Sequence, residues 1–384
     1  MIIQNGLIYN PDFRFSPGSV YIRDGLFSEE YQDPGERIDA EGCYVIPGLI
    51  DIHFHGCMSM DFCDGTLQAL HTIAEWEAAQ GVTAICPATL TLPADMLLSV
   101  LRTGAAFAAQ QQARPSQRPG EADLVGINME GPFISHSKKG AQNGAYILPC
   151  DSDLCMDFLH ASGGLVKLIG LAPEENPDFE DFIRTVRHDV RVSLAHTNAD
   201  YDTAMRAFAA GACHAVHLYN AMPEMTHRAP GVVGAVRDTP GVSAELICDG
   251  NHVHPSVVRA AFDMLSDERI VLISDSLRAA GMGDGRIMLG GQQVRVEGTR
   301  AVLEEGGNLA GSVTSLMNCM RIAVREMGIP LESAVRCATA NPARVIGIQD
   351  RYGSIRPGRR ADAVLLDRGD LHVRAVIKDG QKIR

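Results

Sequence analysis

The sequence predicts a (β/α)8 barrel, of the TIM type, that carries a small β-sandwich domain built from both chain ends. Short apolar runs alternate with stretches long enough for helices, which is typical of parallel β/α units. Eight strands covered by helices make this barrel. The eight runs span residues 45–52, 82–87, 124–129, 166–171, 192–195, 215–218, 242–248 and 270–274.

The chain ends differ from the centre. Residues 1–43 alternate short β-like stretches with turns, and Asp24-Gly25 is a hairpin signal. The last 35 residues show the same pattern. We therefore expect the two ends to pair with each other, with residues 1–45 and 346–384 forming the β domain and residues 46–345 forming the barrel.

Helical stretches fill the spaces between the runs. They cover residues 67–80, 96–111, 203–210 and 255–265, and two more, 316–327 and 331–340, follow the eighth run. Paired glycines in residues 282–311 predict a β-hairpin excursion near the barrel mouth. A doubly wound sheet is the alternative fold, but it predicts a glycine-rich phosphate turn after the first strand, where this chain has His53-Phe54-His55.

Composition excludes several classes of function. A net charge of −13, with 21% charged residues, argues against a nucleic-acid surface, because binding to phosphate backbones draws on clustered Lys and Arg. The ten cysteines include no C-x-x-C pair and resemble the buried thiols of a reducing compartment. No apolar window is long enough to span a membrane, and no secretory signal is evident. We expect a cytoplasmic protein with no membrane partner.

Polar side chains gather where the runs end, which in such barrels is where active sites lie. Imidazoles and carboxylates in this position are the ligand types for zinc, iron and other first-row metals. An isolated histidine at a strand end is usually an ordinary solvated residue, but the whole set is hard to explain that way. The residues that close the runs are His53 and His55, Glu130, His196, His217, Asp249 to His252, and Asp275.

The first pair of histidines and one lysine are the subject of separate predictions. His53 and His55 are spaced i, i+2, which in a strand directs both imidazoles to one face. Lys167 falls near the amino end of its run, away from the site, and is interpreted as structural. His214 is expected to support the site at most.

Several stretches together resemble a known family. They are residues 47–56, 128–133, 195–199, 217–222, 249–253 and 274–275. The combination of Met129-Glu130-Gly131-Pro132-Phe133 with His217-Leu218-Tyr219-Asn220-Ala221-Met222 is the most specific part. The chain resembles, over essentially its whole length, the N-acetylglucosamine-6-phosphate deacetylases of the metal-dependent amidohydrolase superfamily.

The resemblance implies a metal site and a catalytic residue. Glu130, His196 and His217 would bind one divalent metal, and His53 and His55 would bind a second together with Glu130 and Asp275. Zinc is expected, with iron or another first-row metal as alternatives, and one or two ions per subunit stay open. Asp275 would accept a proton from the attacking water and pass it to the departing amine.

The resemblance also implies a substrate, a phosphorylated N-acetyl amino sugar that is deacetylated in amino-sugar catabolism and recycling. In the family, the arginine matching Arg228 reaches the sugar phosphate from a neighbouring subunit, so a homodimer is expected. His252 would serve either the oxyanion or the sugar and its phosphate. The substrate contacts would be Ala141, Gln142, Asn220, Ala221, Arg228, Asp249, Gly250, Asn251, His252, Leu309, Ala310 and Gly311.

One position departs from many family members. Gln142 stands where they have a histidine, and an amide can hydrogen-bond but cannot act as an acid. Lys138 and Lys139 are alternative candidates to Arg228 for binding the sugar phosphate.

Three other functions are alternatives. A deacetylase for the galactosamine epimer differs at one hydroxyl only. A cyclic-amide hydrolase normally has a bridging lysine on the fourth strand, whereas the fourth run here ends in Leu171. A non-catalytic scaffold would have lost ligands, and here every ligand position is filled.

Overall fold

The structure is a computed structural model that describes residues 1–30, 35–113 and 118–384. At its centre, parallel strands follow one another in chain order. The first strand pairs with the second. The second and third strands are each divided into two segments, and each segment of the second strand pairs with one segment of the third. In order, the strands are Leu49–Asp51, Val82–Ile85 with Ala88–Thr89, Asp123–Leu124 with Ile127–Phe133, Val166–Leu171, Arg191–Leu194, His214–Ala215, Ser243–Ile247 and Ile270–Ile273.

Hydrogen bonds beyond the strand ends link the last strand to the first. The Asp275 N–H donates to the His53 carbonyl oxygen at 2.9 Å. The Ser274 N–H donates to the Asp51 carboxylate at 3.3 Å. The predicted (β/α)8 barrel is therefore confirmed, and the run-end residues of the first and eighth strands are brought side by side.

Helices pack around the barrel with their apolar faces inward. Phe179–Val186 illustrates the cause, because its buried residues Phe179, Phe182, Ile183 and Val186 recur at helical spacing. This helix, Ser152–Ala161 and Gly231–Asp238 were not singled out from sequence. The helices are Leu67–Ala79, Ala94–Ala113, Ser152–Ala161, Phe179–Val186, Tyr201–Ala210, Gly231–Asp238, Pro255–Arg269, Leu316–Arg325, Leu331–Ala338 and Ala340–Val345.

The chain ends form one mixed sheet, which confirms the small β domain. The amino-terminal strand Cys43–Pro47 pairs antiparallel with the carboxy-terminal strand Ala363–Asp367. Asp24 and Gly25 both have positive φ, 53° and 75°, as a tight hairpin turn requires. The strands are Ile2–Tyr9, Phe15–Arg23, Leu26–Ser28, Arg37–Asp39, Cys43–Pro47, Ala363–Asp367, Val373–Lys378 and Gln381–Lys382.

The first apolar run serves both domains, so the prediction of one strand over residues 45–52 was wrong. Cys43–Pro47 belongs to the terminal sheet and Leu49–Asp51 to the barrel, with Gly48 between them. A Cβ at Gly48 would lie 2.1 Å from the Thr83 hydroxyl, so the crossing is too close for a side chain. The boundaries 1–45 with 346–384 and 46–345 stay a prediction.

Buried charges join the two domains. The Lys378 ammonium, 1% exposed, lies 2.9 Å from Asp123 of the barrel and 2.8 Å from Asp379. Arg360 is paired with the same two carboxylates. Because cations and carboxylates alternate here, burial leaves neither sign uncompensated.

The excursion near the mouth is larger than the predicted hairpin. It is a four-stranded antiparallel sheet of Gly285–Leu289, Gln292–Glu297, Arg300–Leu303 and Leu309–Gly311. A two-stranded pair, Gly56–Cys57 with Met60–Asp61, follows the first barrel strand. In the described parts of the chain, every helix is too short or too polar to cross a bilayer.

Candidate active site

Glu130 is the centre of the site. It lies on the third barrel strand and is buried. Its Oε1 lies 3.1 Å from His53 Nε2, 3.0 Å from His196 Nε2 and 3.0 Å from His217 Nε2. Its Oε2 lies 3.3 Å from His55 Nε2. The structure thus brings together all five predicted metal ligands, which come from four different strand ends.

Asp275 adds a second carboxylate. Its Oδ1 lies 3.5 Å from His55 Nε2 and 3.9 Å from His53 Nε2. Two groups of ligand atoms, each within 4.8 Å of one another, result: His53, Glu130 and His217, and His53, His55 and Asp275. Neighbouring groups that share one residue are suited to one ion or to two.

Three of the imidazoles are oriented by their other nitrogen. His53 Nδ1 lies 2.8 Å from Glu245 Oε2, and His196 Nδ1 lies 2.9 Å from the Lys138 carbonyl oxygen. His217 Nδ1 lies 3.1 Å from the Asn220 carbonyl oxygen. Each acceptor holds a proton on Nδ1 and leaves the Nε2 lone pair directed toward Glu130, as in protein metal sites.

These residues fit a divalent cation. His53 Nε2 and His55 Nδ1 are buried and, among the described residues, have no hydrogen-bond partner. Burial lowers the pKa of His55, but Asp275 and Glu130 outweigh it and raise the pKa to about 10. A site that favours a proton so strongly has a negative potential, which also favours a metal ion. The nitrogen and carboxylate donors match zinc, iron and similar ions.

The backbone is strained where it presents these side chains. His196, His217 and Asp275 have φ values of 43°, 26° and 49°, in the left-handed region that residues with a Cβ rarely adopt. Hydrogen bonds hold two of the turns: the Ser135 N–H donates to the His196 carbonyl at 2.9 Å, and the Ser312 N–H donates to the Asp275 carbonyl at 2.8 Å. Strain of this kind is typical of functional sites.

The first-strand pair converges by a different route from the one predicted. The barrel strand ends at Asp51, so His53 and His55 lie in the loop beyond it and not on a strand face. Their ring centroids are 5.8 Å apart, and Phe54 between them is fully buried. Loop geometry, fixed by the hydrogen bond from Asp275, brings the two rings to Glu130.

A cavity of about 370 Å³ opens onto the site. Eight of the twelve predicted substrate contacts line it: Ala141, Gln142, Asn220, Ala221, His252, Leu309, Ala310 and Gly311. Arg228, Asp249, Gly250 and Asn251 are outside this lining, and Arg228 is exposed. Sequence reasoning did not single out Leu90, Ser137, Gly140, Leu289 and Asn308 as lining residues.

Two of the four predicted substrate contacts that lie outside the cavity lining hold other parts of the site in place. Asp249 Oδ2 lies 2.8 Å from His252 Nδ1, and its Oδ1 accepts the His252 N–H at 2.9 Å. Burial lowers the pKa of His252, but Asp249 more than offsets this and raises it. Asn251 donates to Thr299 of the excursion at 3.0 Å. Asp249 therefore orients His252, while Asn251 ties the loop to the excursion.

Gln142 faces the candidate ligands as well as the cavity. Its Nε2 donates to Glu130 Oε2 at 2.5 Å, and its Oε1 accepts the Thr91 N–H at 2.7 Å. Lys138 lines the cavity, with its ammonium 3.2 Å from the Met222 carbonyl oxygen. Lys139 lies outside the lining, and Lys167 donates to the Gly164 carbonyl at the amino end of its strand, as expected.

Sequence reasoning missed Glu245, which is fully buried below the site and bonded to His53. The available signal was a charged residue inside the apolar strand Ser243–Ile247. His214, which the sequence predicts to support the site at most, has its Nε2 3.0 Å from Glu245 Oε1.

The barrel, the His and carboxylate cluster at its carboxyl end and the adjoining cavity define the class: a metal-dependent hydrolase. Comparison with known proteins makes the class specific. The model of the amidohydrolase family matches residues 44–383, and the chain belongs to this family.

Individual relatives are similar over nearly the full length. N-acetylglucosamine-6-phosphate deacetylase of Bacillus subtilis is 34% identical over 95% of this chain and 89% of its own. N-acetylgalactosamine-6-phosphate deacetylase of Escherichia coli O157:H7 is also 34% identical, over 94% and 93%. Among solved structures, a mutant Mycobacterium smegmatis N-acetyl-D-glucosamine-6-phosphate deacetylase in complex with N-acetyl-D-glucosamine-6-phosphate matches with a TM-score of 0.89 and 29% identity, covering 100% of this chain and 98% of that one.

Proposed function

We propose that the protein hydrolyses N-acetylglucosamine 6-phosphate to glucosamine 6-phosphate and acetate, in amino-sugar catabolism and recycling. The observation that carries the proposal is the convergence of three imidazole nitrogens on Glu130 Oε1, beside a cavity that contains Asp275 and His252. Relatives that act on phosphorylated N-acetyl amino sugars, similar along nearly the whole chain, support the choice of substrate.

The ligands we assign are those of the predicted set. Glu130, His196 and His217 would hold one ion, and His53 and His55 would hold a second with Glu130 and Asp275. When bound, a divalent metal lowers the pKa of a water toward neutrality and polarises the acetyl carbonyl. We propose zinc, because the donors are nitrogens and carboxylates in a buried site.

Asp275 acts as the proton shuttle. Its carboxylate is 8% exposed and lines the cavity, so it can reach both water and substrate. It accepts the proton of the attacking water and then protonates the amine nitrogen as the carbon–nitrogen bond breaks. Without this second transfer the amine would leave as an anion, which is unfavourable.

Substrate contacts follow from the cavity lining. His252, held by Asp249, donates to the developing oxyanion or to the sugar and its phosphate, and Asn220 with Ala221 offers further polar groups in the cavity lining. Arg228 is exposed on its own chain, which agrees with a role in the cavity of a partner subunit. The proposed assembly is therefore a homodimer in which Arg228 binds the phosphate across the interface.

The proposed location is the cytoplasm. All ten cysteines are free, as expected where thiols stay reduced.

The galactosamine epimer is the second candidate substrate, favoured by the Escherichia coli relative at the same identity. Steady-state kinetics on both 6-phosphates, with metal content measured on the same preparation, test the proposal. We expect acetate release from both and a higher kcat/KM for the gluco epimer. If the metal-bound protein released acetate from neither sugar, the proposed function would be refuted. A higher kcat/KM for the galacto epimer would make N-acetylgalactosamine 6-phosphate the substrate instead.

Asp275→Asn is expected to lower kcat by roughly 10²–10⁴-fold, the usual contribution of a positioned acid–base group. The amide keeps the shape but cannot carry the proton. Asp263→Asn, an exposed position on the helix Pro255–Arg269, is the matched control and should keep wild-type turnover. Turnover of Asp275→Asn close to that of the control would exclude the shuttle.

Arg228→Ala is expected to raise KM for the phosphorylated sugar about tenfold or more, the cost of a lost charged hydrogen bond, with little effect on unphosphorylated N-acetylglucosamine. Arg237→Ala, another exposed arginine close by in sequence, is the control. Equal effects on both sugars would remove Arg228 from phosphate binding.

Co-expression of Arg228→Ala with Asp275→Asn tests which subunit supplies the arginine. If Arg228 acts across the interface, half of the dimers are mixed and each has one complete site, so activity recovers to about a quarter of wild type. If Arg228 acts within its own chain, no mixed dimer has a complete site. Absence of recovery in proven mixed dimers would therefore contradict the partner role.

A further inference from the structure

Glu245 is a charged side chain beneath the site that the proposed chemistry does not use. It lies within the strand Ser243–Ile247, is fully buried and does not line the cavity. Its Oε2 lies 2.8 Å from His53 Nδ1 and accepts the His217 N–H at 3.1 Å. Its Oε1 lies 3.0 Å from His214 Nε2. One carboxylate thus meets three donors from two segments, the loop after the first barrel strand and residues 214–217.

The hydrogen bonds in this network have one consistent direction. His214 Nδ1 lies 2.7 Å from the Ser243 hydroxyl, which can donate to it. Because an ionised carboxylate only accepts, the proton of His214 sits on Nε2 and the proton of His53 sits on Nδ1. Each group that faces Glu245 is then a donor to it, and the Ser243 hydroxyl completes the bonding of His214, so the proton positions around the carboxylate are well determined.

We propose that Glu245 is the positioning residue for the ion held by His53 and His55, because it fixes the tautomer of His53 that leaves Nε2 as a ligand. His214 and Ser243 act through Glu245 by completing its hydrogen bonds. The inference rests on the proposed function only in requiring metal at His53. Neither Glu245 nor His214 touches substrate.

The effect is specific to one of the two ions. The rings of His196 and His217 have Nδ1 against main-chain carbonyl oxygens of Lys138 and Asn220, so their tautomers do not depend on Glu245. Glu245 touches His217 only at the backbone N–H. Loss of the Glu245 charge should therefore weaken the ion at His53 and His55 and leave the ion at Glu130, His196 and His217 in place.

The test is cobalt titration of the metal-free full-length protein, read from the visible absorption of bound Co²⁺ and from ions per chain after competition with a chelator. In Glu245→Gln the amide NH2 faces either His53 or His214, so His53 Nδ1 loses its acceptor or keeps only a neutral one, which holds the proton more weakly than a carboxylate does. We expect the affinity of one ion to fall 10–100-fold, as for other residues that orient ligands, and the affinity of the other ion to be retained.

Glu121→Gln is the matched control. Glu121 is also a buried carboxylate bonded to a histidine, with Oε1 2.7 Å from His71 Nδ1, but it lies outside the site. It should bind two ions as the wild type does. A merely structural role of Glu245 would lower the stability of the metal-free protein and leave the titration unchanged.

Three results would overturn the inference: two ions of wild-type affinity in folded Glu245→Gln, equal weakening of both ions, or a single ion in the wild type. If Glu245→Gln does not fold, His214→Phe removes one donor to Glu245 and should weaken the same ion to a smaller extent. Unchanged affinity in that variant would also overturn it. If Glu245→Gln loses one ion but the wild-type protein has no deacetylase activity, the proposed function is refuted and the inference about Glu245 stands.

Discussion

The arrangement of the site depends on one oxygen atom of Glu130. Oε1 of Glu130 is approached by three imidazole nitrogens at 3.0 to 3.1 Å, and the carboxylate is almost completely buried. Burial raises the pKa of Glu130, but His53 and His196 outweigh it and hold the pKa well below its ordinary value. A buried negative charge of this kind has to be compensated, and a divalent cation held by the surrounding imidazoles would do so.

The rest of the site serves this arrangement. Barrel closure brings strand ends that are distant in sequence to within hydrogen-bonding distance of one carboxylate. The turns after the strands adopt left-handed backbone angles at His196, His217 and Asp275, which directs their side chains inward. Gln142 bonds to the other oxygen of Glu130. The packed barrel around the site offsets the cost of the strained backbone, and a metal ion bound there would offset the cost of the buried charge.

Much of this could be predicted from sequence, for a physical reason. In a parallel barrel the carboxyl ends of all strands meet at one mouth, so polar residues that end apolar runs must lie near one another. This is why Glu130, His196, His217 and Asp275 could be predicted as site residues from the ends of the runs. The substrate contacts follow from the resemblance to the family, and eight of the twelve line the cavity.

The features that could not be predicted depend on tertiary contacts between segments distant in sequence. The division of the first run at Gly48 follows from the approach of Thr83, and the orientation of Gln142 toward Glu130 follows from a bond to Thr91. Glu245 was missed because its role needs three segments to meet. Arg228 is exposed and outside the cavity lining of its own chain, so its proposed role requires a second subunit.

In the proposed site, Glu130 would be the carboxylate that holds divalent metal at the mouth of this barrel. A crystal structure of protein purified without added metal, with anomalous diffraction recorded on both sides of the absorption edges of zinc and iron, tests it most directly. We predict two anomalous peaks about 3.5–4 Å apart, with Glu130 between them. A single peak at Glu130, His196 and His217 would remove the second ion, and the absence of any peak within bonding distance of Glu130 would contradict the account.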